Sequence, residues 1–368
     1  MKLLTPQHWQ PPHTASASGK ERRVGVELEF AGVDPEQVMA RLNDLYGGRI
    51  EQWSRAEYQL AGSCFGDFKL ELDADALKSL ADKQSASASG TTGDSKPAGR
   101  GGAAKTAGNS SDGKSAVTEL AATIASNVGD YAVEVLTSAA EQLVPWEVVS
   151  PPIPVSELHR VEALVDALRA DGALGTRHAL HYAFGVHLNP ELPALDAATI
   201  VNYLRAYFCL YDWIVAHEKI DTARRLTPYI NHFGKDYIAM LIDRDYAPDL
   251  PGLIDDYLEH NPSRNRSLDM LPLFAHLDED RVRAVVDDAR VKARPTFHYR
   301  LPNCDIDNPD WNLGQPWGMW LEIEQLASHP QRLEQMCERY AGELNRLTHA
   351  LEGRWAAEVG ELLANYHA

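Results

Sequence analysis

Polar residues at every second position, repeated in well-separated segments, restrict the fold of this 368-residue chain more than any other feature. In VGVELEF, Val24, Val26, Leu28 and Phe30 alternate with Gly25, Glu27 and Glu29. A period of two belongs to a strand with one apolar and one polar face. The alternation returns in FKLELD, where Phe68, Leu70 and Leu72 oppose Lys69, Glu71 and Asp73. It returns again in WEVVSPP (from Trp146), HYAFGVHLNPE (from His181) and TFHYRLP (from Thr296). YAVEVLTS, from Tyr131, predicts a further strand, with Glu134 read as solvated. One acidic strand face usually means solvent. Here the polar parity carries Glu27 and Glu29, then Lys69, Glu71 and Asp73, then Glu147, then His187 and Asn189, then His298 and Arg300. Together these predict one antiparallel sheet, with helices on its oily face and a concave polar face for a ligand. The fold class is α+β.

Between the strands the period changes. Asp34, Pro35 and Gln37 mark a helix start, and Val38, Leu42 and Leu45 continue it until Gly47-Gly48. PVSELHRVEALVDALRADG predicts a second helix, closed by Gly172. Residues 195–292 are mainly helical in pattern, and residues 316–368 read as C-terminal helices. Residues 1–20, rich in Pro, Ser, His and Thr, predict a flexible arm. Lys83 to Ala116 holds no aromatic or large aliphatic residue, so burial cannot offset its ordering entropy, and it reads as a disordered insertion. Residues 21–368 then form a single domain.

With 35 Lys and Arg against 53 Asp and Glu, the net charge is −18. That balance disfavours nucleic acid and anionic membranes as partners. Cys64, Cys209, Cys304 and Cys337 form no C-x-x-C pair, and no apolar run has the length of a membrane span. The expected location is cytoplasmic.

Strand residues two apart are separated by roughly 6.5–7 Å, so Glu27 and Glu29 can lean onto one ion or two neighbouring ones. Carboxylates with an occasional imidazole suit Mg²⁺ or Mn²⁺. No phosphate-binding glycine loop accompanies them, so metals would carry most of the contact with a nucleotide. In this order, VGVELEF, LELDADAL, WEVVSPPIP, FGVHLNPE and FHYRLP resemble the amidoligase family, carboxylate–amine ligases with the catalytic fold of glutamine synthetase and glutamate–cysteine ligase. The resemblance implies ATP and two or three divalent ions on the concave face of the sheet. It implies that Glu27, Glu29 and Glu147 bind metal, that His187 touches metal or nucleotide phosphate, and that Arg300 neutralises the transferred phosphate. It places Asp73 beside the substrate pocket. Where related ligases carry a metal-binding glutamate two residues before that arginine, this chain has His298, which can ligate but brings no negative charge.

The implied activity joins a carboxylate to an amine through an acyl phosphate, on an amino acid, peptide or related small substrate. Glu71 or Asp73 is the candidate proton acceptor for the amine. Arg264 and Arg266 are a local basic pair, readable as a solvated turn or as an anion holder, and Arg266 joins His187 and Arg300 as a candidate cofactor contact. Lys235 is a weaker candidate of the same kind. Trp311, Trp317 and Trp320 either lid the pocket or pack in the core. His159, His217 and His276 read as surface or core histidines. Two alternatives stay open: a non-catalytic nucleotide-binding relative, which His298 favours, and a phosphotransferase of the same architecture. An oligomer is compatible with all three.

Overall fold

The computed structural model describes residues 9–72, 146–176, 184–220, 225, 230–346 and 353–366. The strand expected from Tyr131, with Glu134, the insertion at 83–116, and Asp73 lie outside these residues.

Among the described residues, nine strands form one antiparallel sheet, in the order β2-β3-β4-β5-β1-β7-β9-β8, with β6 paired to β1. The strands are β1 (Arg23–Phe30), β2 (Arg49–Ser54), β3 (Glu57–Ser63), β4 (Gly66–Leu72), β5 (Trp146–Val149), β6 (Ile153–Pro154), β7 (Val186–Pro190), β8 (Leu268–Asp269) and β9 (His298–Tyr299). VGVELEF is therefore a central strand, flanked by β5 and β7. Its apolar parity is fully buried: Val24, Val26, Leu28 and Phe30 are each at most 1% exposed. WEVVSPPIP supplies two strands to the same neighbour, because Pro151 and Pro152 lack an N–H and interrupt the ladder. Ser150 bridges the interruption. Its N–H donates to the Val26 carbonyl, and its Oγ accepts from the Val26 N–H at 2.8 Å.

The helices among the described residues are α1 (Pro35–Tyr46), α2 (Glu162–Ala170), α3 (Ala197–His217), α4 (Lys235–Ile242), α5 (Leu250–His260), α6 (Leu271–Leu277), α7 (Glu279–Arg283), α8 (Gly314–Ala327), α9 (Pro330–Leu344) and α10 (Arg354–Tyr366). The start of α1 is as expected: Asp34 accepts from the Glu36 N–H, Pro35 opens the helix, and Gly47 leaves it at φ 67°. The second predicted helix begins as a 3₁₀ segment, Val155–Val161, before α2. Helices α3 and α8 pack against the apolar parity of the segment bearing β9: Phe297 stacks on Tyr203, and the Tyr299 ring lies 5.3 Å from that of Trp320.

Two features differ from the sequence reading. Within the N-terminal arm, Trp9 is only 3% exposed and its carbonyl accepts from the Trp317 indole N–H, so this part is docked rather than loose. One large aromatic anchors a polar segment whose composition alone predicts freedom. RIEQWS and EYQLAGS form the hairpin β2–β3, absent from the sequence reading: β3 alternates, with Tyr58 and Leu60 buried, but β2 is an edge strand with no fully buried residue and carries no such signal.

Candidate active site

The register of the sheet sorts the polar parity into cross-strand rows. Glu57, Glu71, Glu147 and Glu29 stand opposite one another across β3, β4, β5 and β1. The next row holds Lys69, Val149, Glu27 and His187, with Arg300 reached by continuing the β7–β9 register from Leu188–Tyr299. The third holds Gly25, Asn189, His298 and Asp269. Gly25 has a reason here: a Cβ on it would lie 3.3 Å from Asn189 Cβ, so a side chain would push the asparagine off the floor.

His187 is the centre of the floor. Its Nδ1 lies 2.7 Å from Glu27 Oε2 and 3.8 Å from Glu147 Oε1, and its Nε2 lies 3.1 Å from Glu29 Oε1. His298 Nε2 is 3.3 Å from Glu27 Oε2, but without hydrogen-bonding geometry. Asn189 Nδ2 donates to Glu27 Oε1 at 2.9 Å, and the Gly185 N–H donates to Glu29 Oε2 at 2.5 Å. Glu27, His187, Asn189, His298 and Arg300 are all buried, so the polar face is a recessed floor rather than an open surface.

Burial opposes ionisation of Glu27, but His298 and His187 outweigh it and hold its carboxyl well below the usual range. Burial likewise pushes His187 down, and the Glu29 and Glu27 carboxylates outweigh it, so its pKa is raised. For His298 burial wins over Glu27 and Asp269, and the imidazole is held toward its neutral form. Burial raises the Glu71 carboxyl, with Lys69 and Lys292 pulling the other way.

Among the described residues, two groups of side chains have the composition and spacing to hold a cation: Glu27 with His187 and His298, and Glu29 with Glu147 and His187, the ligand atoms of each lying within 4.8 Å of one another. A neutral imidazole has one lone pair, so His187 can serve one of the two groups at a time. The buried His298 Nε2, side by side with a carboxylate oxygen it does not hydrogen-bond, is placed as a second ligand atom would be. Asp269, 1% exposed on β8, lies 3.5 Å from His298 Nδ1. A carboxylate behind the far nitrogen orients metal-binding histidines in general. It also places a negative charge beside the position where the sequence lacks a glutamate.

Of the expected site residues, the fold thus brings together Glu27, Glu29, Glu147, His187, His298 and Arg300, with Glu71 in the adjoining glutamate row. Arg300 donates to the Arg264 carbonyl at 3.0 Å. Arg266 is not brought to the floor. It shares the parity of buried Leu268, its guanidinium donates to the carbonyls of His232 and His260, and it lies over the Phe233 ring. Lys235 is an exposed first residue of α4. Trp317 and Trp320 are 0% exposed and Trp311 4%, so they pack and form no lid. Asp269 and Arg294 are additions. Arg294 Nη2 donates to Asn189 Oδ1 at 2.8 Å and lies 3.6 Å from Glu27 Oε1. Neither residue stands in a segment whose alternation marks it.

The floor defines a candidate cation centre on an antiparallel sheet, ringed by glutamates and flanked by arginines. A family model described as "Putative amidoligase enzyme" matches residues 20–322, and the chain belongs to that family. The class of activity this membership points to is amide-bond formation by a ligase. No curated protein and no solved structure matches the chain. No helix among the described residues is long and apolar enough to cross a membrane.

Proposed function

We propose that the chain is an ATP-dependent carboxylate–amine ligase that works through an acyl phosphate, with Mg²⁺ or Mn²⁺ on the floor and kinship to the glutamine synthetase catalytic fold. The observation that carries this reading is the meeting of Glu27, Glu29, Glu147, His187 and His298 from four strands in one recessed patch, with Arg300 in the row of Glu27 and His187. Bound divalent ions would neutralise phosphate oxygens and draw charge from the transferred phosphoryl group. Glu27, Glu29, Glu147 and the two histidines would hold them, and Asp269 would fix the His298 ring.

A carboxylate resists amines because its carbon is shielded by negative charge and oxide is a poor leaving group. Phosphorylation by ATP converts the oxygen into phosphate, which the amine can displace. Phosphoryl transfer asks a protein mainly for positioning and charge stabilisation. Arg300 would stabilise charge on the moving phosphoryl group and on the departing phosphate. Glu71, whose carboxyl burial raises, stands next to Glu147 in the glutamate row and would be the proton acceptor for the amine. The recessed floor would keep water from the acyl phosphate.

The test is phosphate release from ATP with Mg²⁺ or Mn²⁺ across paired carboxylates and amines, followed by mass spectrometry of the product. Amine-dependent phosphate release with an amide product identifies the ligase, ADP with a phosphorylated product and no free phosphate identifies a phosphotransferase, and no turnover of ATP with any pair refutes the catalytic reading. Arg300→Ala should lower turnover by two to four powers of ten, about 2.7–5.4 kcal/mol, with a smaller change in nucleotide affinity.

A further inference from the structure

The sheet ends differently at its two edges. At one end β8 is closed over, with Leu268 and Asp269 0% and 1% exposed. At the other end β2 pairs with β3 on one side and has no strand on its other side among the described residues. Two of the three exposed large apolar residues among the described residues, Ile50 at 44% and Trp53 at 54%, belong to this one strand of six residues. An open strand leaves alternate N–H and C=O groups ready to pair with another chain, and proteins usually blunt such an edge with unmatched charge or proline. β2 has no proline, and its charges are matched: Arg49 and Glu51 share one face, and the Arg49 Nε donates to Glu51 Oε1 at 3.0 Å. That face is the one that bears the floor, since Glu51 stands opposite Gln59 and Gln59 opposite Lys69. Trp53 lies on it too, with the Lys69 ammonium 5.5 Å from its ring centre. Ile50 is on the apolar face, opposite Leu60 and in line with Phe68 of the core.

The order cation, apolar residue, anion is self-complementary. When β2 lies antiparallel to the same strand of a second copy with a dyad at Ile50, each residue faces the one equally far on the other side of position 50. Ile50 then meets Ile50, Arg49 of each copy meets Glu51 of the other, and Trp53 reaches the Gly47–Gly48 turn, where no side chain bars the indole. A dyad one residue away, at Arg49 or at Glu51, would oppose like charges, which destabilises a cross-strand pair. We propose that β2 is a homodimer interface: two copies of this chain pair antiparallel along β2 about a dyad at Ile50, with two Arg49–Glu51 ion pairs across it. Such an interface is isologous, so it closes at two copies and leaves no edge to recruit a third. The two sheets run on as one, and the Ile50 pair joins their apolar layers. Residues opposite each other in a ladder share a face, so both floors open on the same side of the doubled sheet. The inference is independent of the ligase reading.

Analytical ultracentrifugation of the full chain across the micromolar range tests it, together with hydrogen exchange of the β2 amides. Wild type should show a monomer–dimer equilibrium, with the β2 amides gaining protection as the dimer fills. Arg49→Glu and Glu51→Arg each turn both cross-copy pairs into like-charge pairs and should weaken the dimer by about tenfold or more. Mixed in equal amounts, these two variants should dimerise again as a mixed pair, because every charge across the dyad then meets its opposite. The double variant Arg49→Glu/Glu51→Arg should do so alone, and Ile50→Lys should leave only monomer. Melting at a dilution where wild type is monomeric should be the same for the charge variants, since an exposed ion pair contributes little, and this separates loss of pairing from loss of fold. A wild type that stays monomeric overturns the proposal, and β2 amides protected in that monomer would assign the edge to another segment of the same chain. A dimer indifferent to Arg49→Glu and Ile50→Lys also overturns it and puts the contact elsewhere. Single variants that weaken the dimer but do not recover on mixing overturn the pairing about Ile50.

Discussion

Two buried carboxylates, Glu324 and Glu27, lie on opposite sides of the chain where it enters β1, and they are partnered in opposite ways. Glu324 on α8 takes both arms of Arg22 (2.9 and 2.6 Å), the Tyr203 hydroxyl and the Trp320 indole N–H at 2.8 Å. The rest of the Arg22 guanidinium donates to the carbonyls of Glu191 and His13. One anion meets one cation, and the named donors and acceptors match. Around Glu27 the balance is different. Three carboxylates, Glu27, Glu29 and Glu147, converge on the single imidazole of His187, while Arg294 stands off at 3.6 Å. A network that closes on itself holds helix to strand. A cluster with more carboxylates than cations is arranged to receive positive charge from outside.

The largest effect should follow from breaking the closed network. Glu324→Gln leaves Arg22 charged, buried and uncompensated, and should cost about 3–5 kcal/mol of stability in urea denaturation. A loss under about 1 kcal/mol would show that the pair is no better matched than the floor.

The floor should respond differently. Glu27→Gln should abolish most divalent-ion affinity, by more than the roughly 10–100-fold typical of outer-sphere changes. Its stability should fall far less than that of Glu324→Gln, because Glu29 and Glu147 remain beside His187 to balance the imidazole that Glu27 pairs. Calorimetry with Mn²⁺ and thermal melting of the same sample read both quantities. Wild-type Mn²⁺ affinity in this variant would end the metal reading.

A smaller change tests the role of Asp269. Asp269→Asn keeps the shape beside His298 Nδ1 and removes the charge, so Mn²⁺ affinity should fall about tenfold, within the range of outer-sphere partners. If affinity is unchanged while His298→Ala lowers it, the carboxylate does not orient the ring.

The contrast also explains what could be read from the residues alone. The floor was legible because alternation is local: the parity of β1, β5, β7 and β9 marks Glu27, Glu29, Glu147, His187, His298 and Arg300 before any strand is paired. Asp269 was not, because β8 is two residues long within SLDML, a run that reads as helix. Arg294 precedes a proline and reaches the floor by folding back to Asn189, 105 residues away in sequence. Arg266 was misplaced for a related reason. Only the pairing of Asp269 with His298 shows which parity of that segment faces the site. The Arg22–Glu324 pair spans 302 residues, and nothing in either local sequence names the other.

The smallest expected effect comes from a third carboxylate, half-buried, which has neither a closed network nor a cluster. Glu162, at the start of α2, accepts from the Gly314 N–H at the start of α8, and burial pushes its pKa up to about 7. The raised value means the folded protein binds its proton more tightly than the unfolded chain, whose carboxyl titrates near 4.5. Its contribution to stability is therefore complete below pH 4.5 and is lost as the pH rises through about 7. At about 1.4 kcal/mol per pH unit the ceiling is about 3 kcal/mol, and water reaching this half-buried group lowers the measured value. Glu162→Gln keeps the acceptor for Gly314 and removes the titration. The variant should therefore match wild type at pH 4.5 and exceed it by about 1 kcal/mol at pH 8. Parallel stability curves for the two proteins between pH 4.5 and 8 would show that Glu162 is already ionised in the fold and that its backbone partner alone suffices.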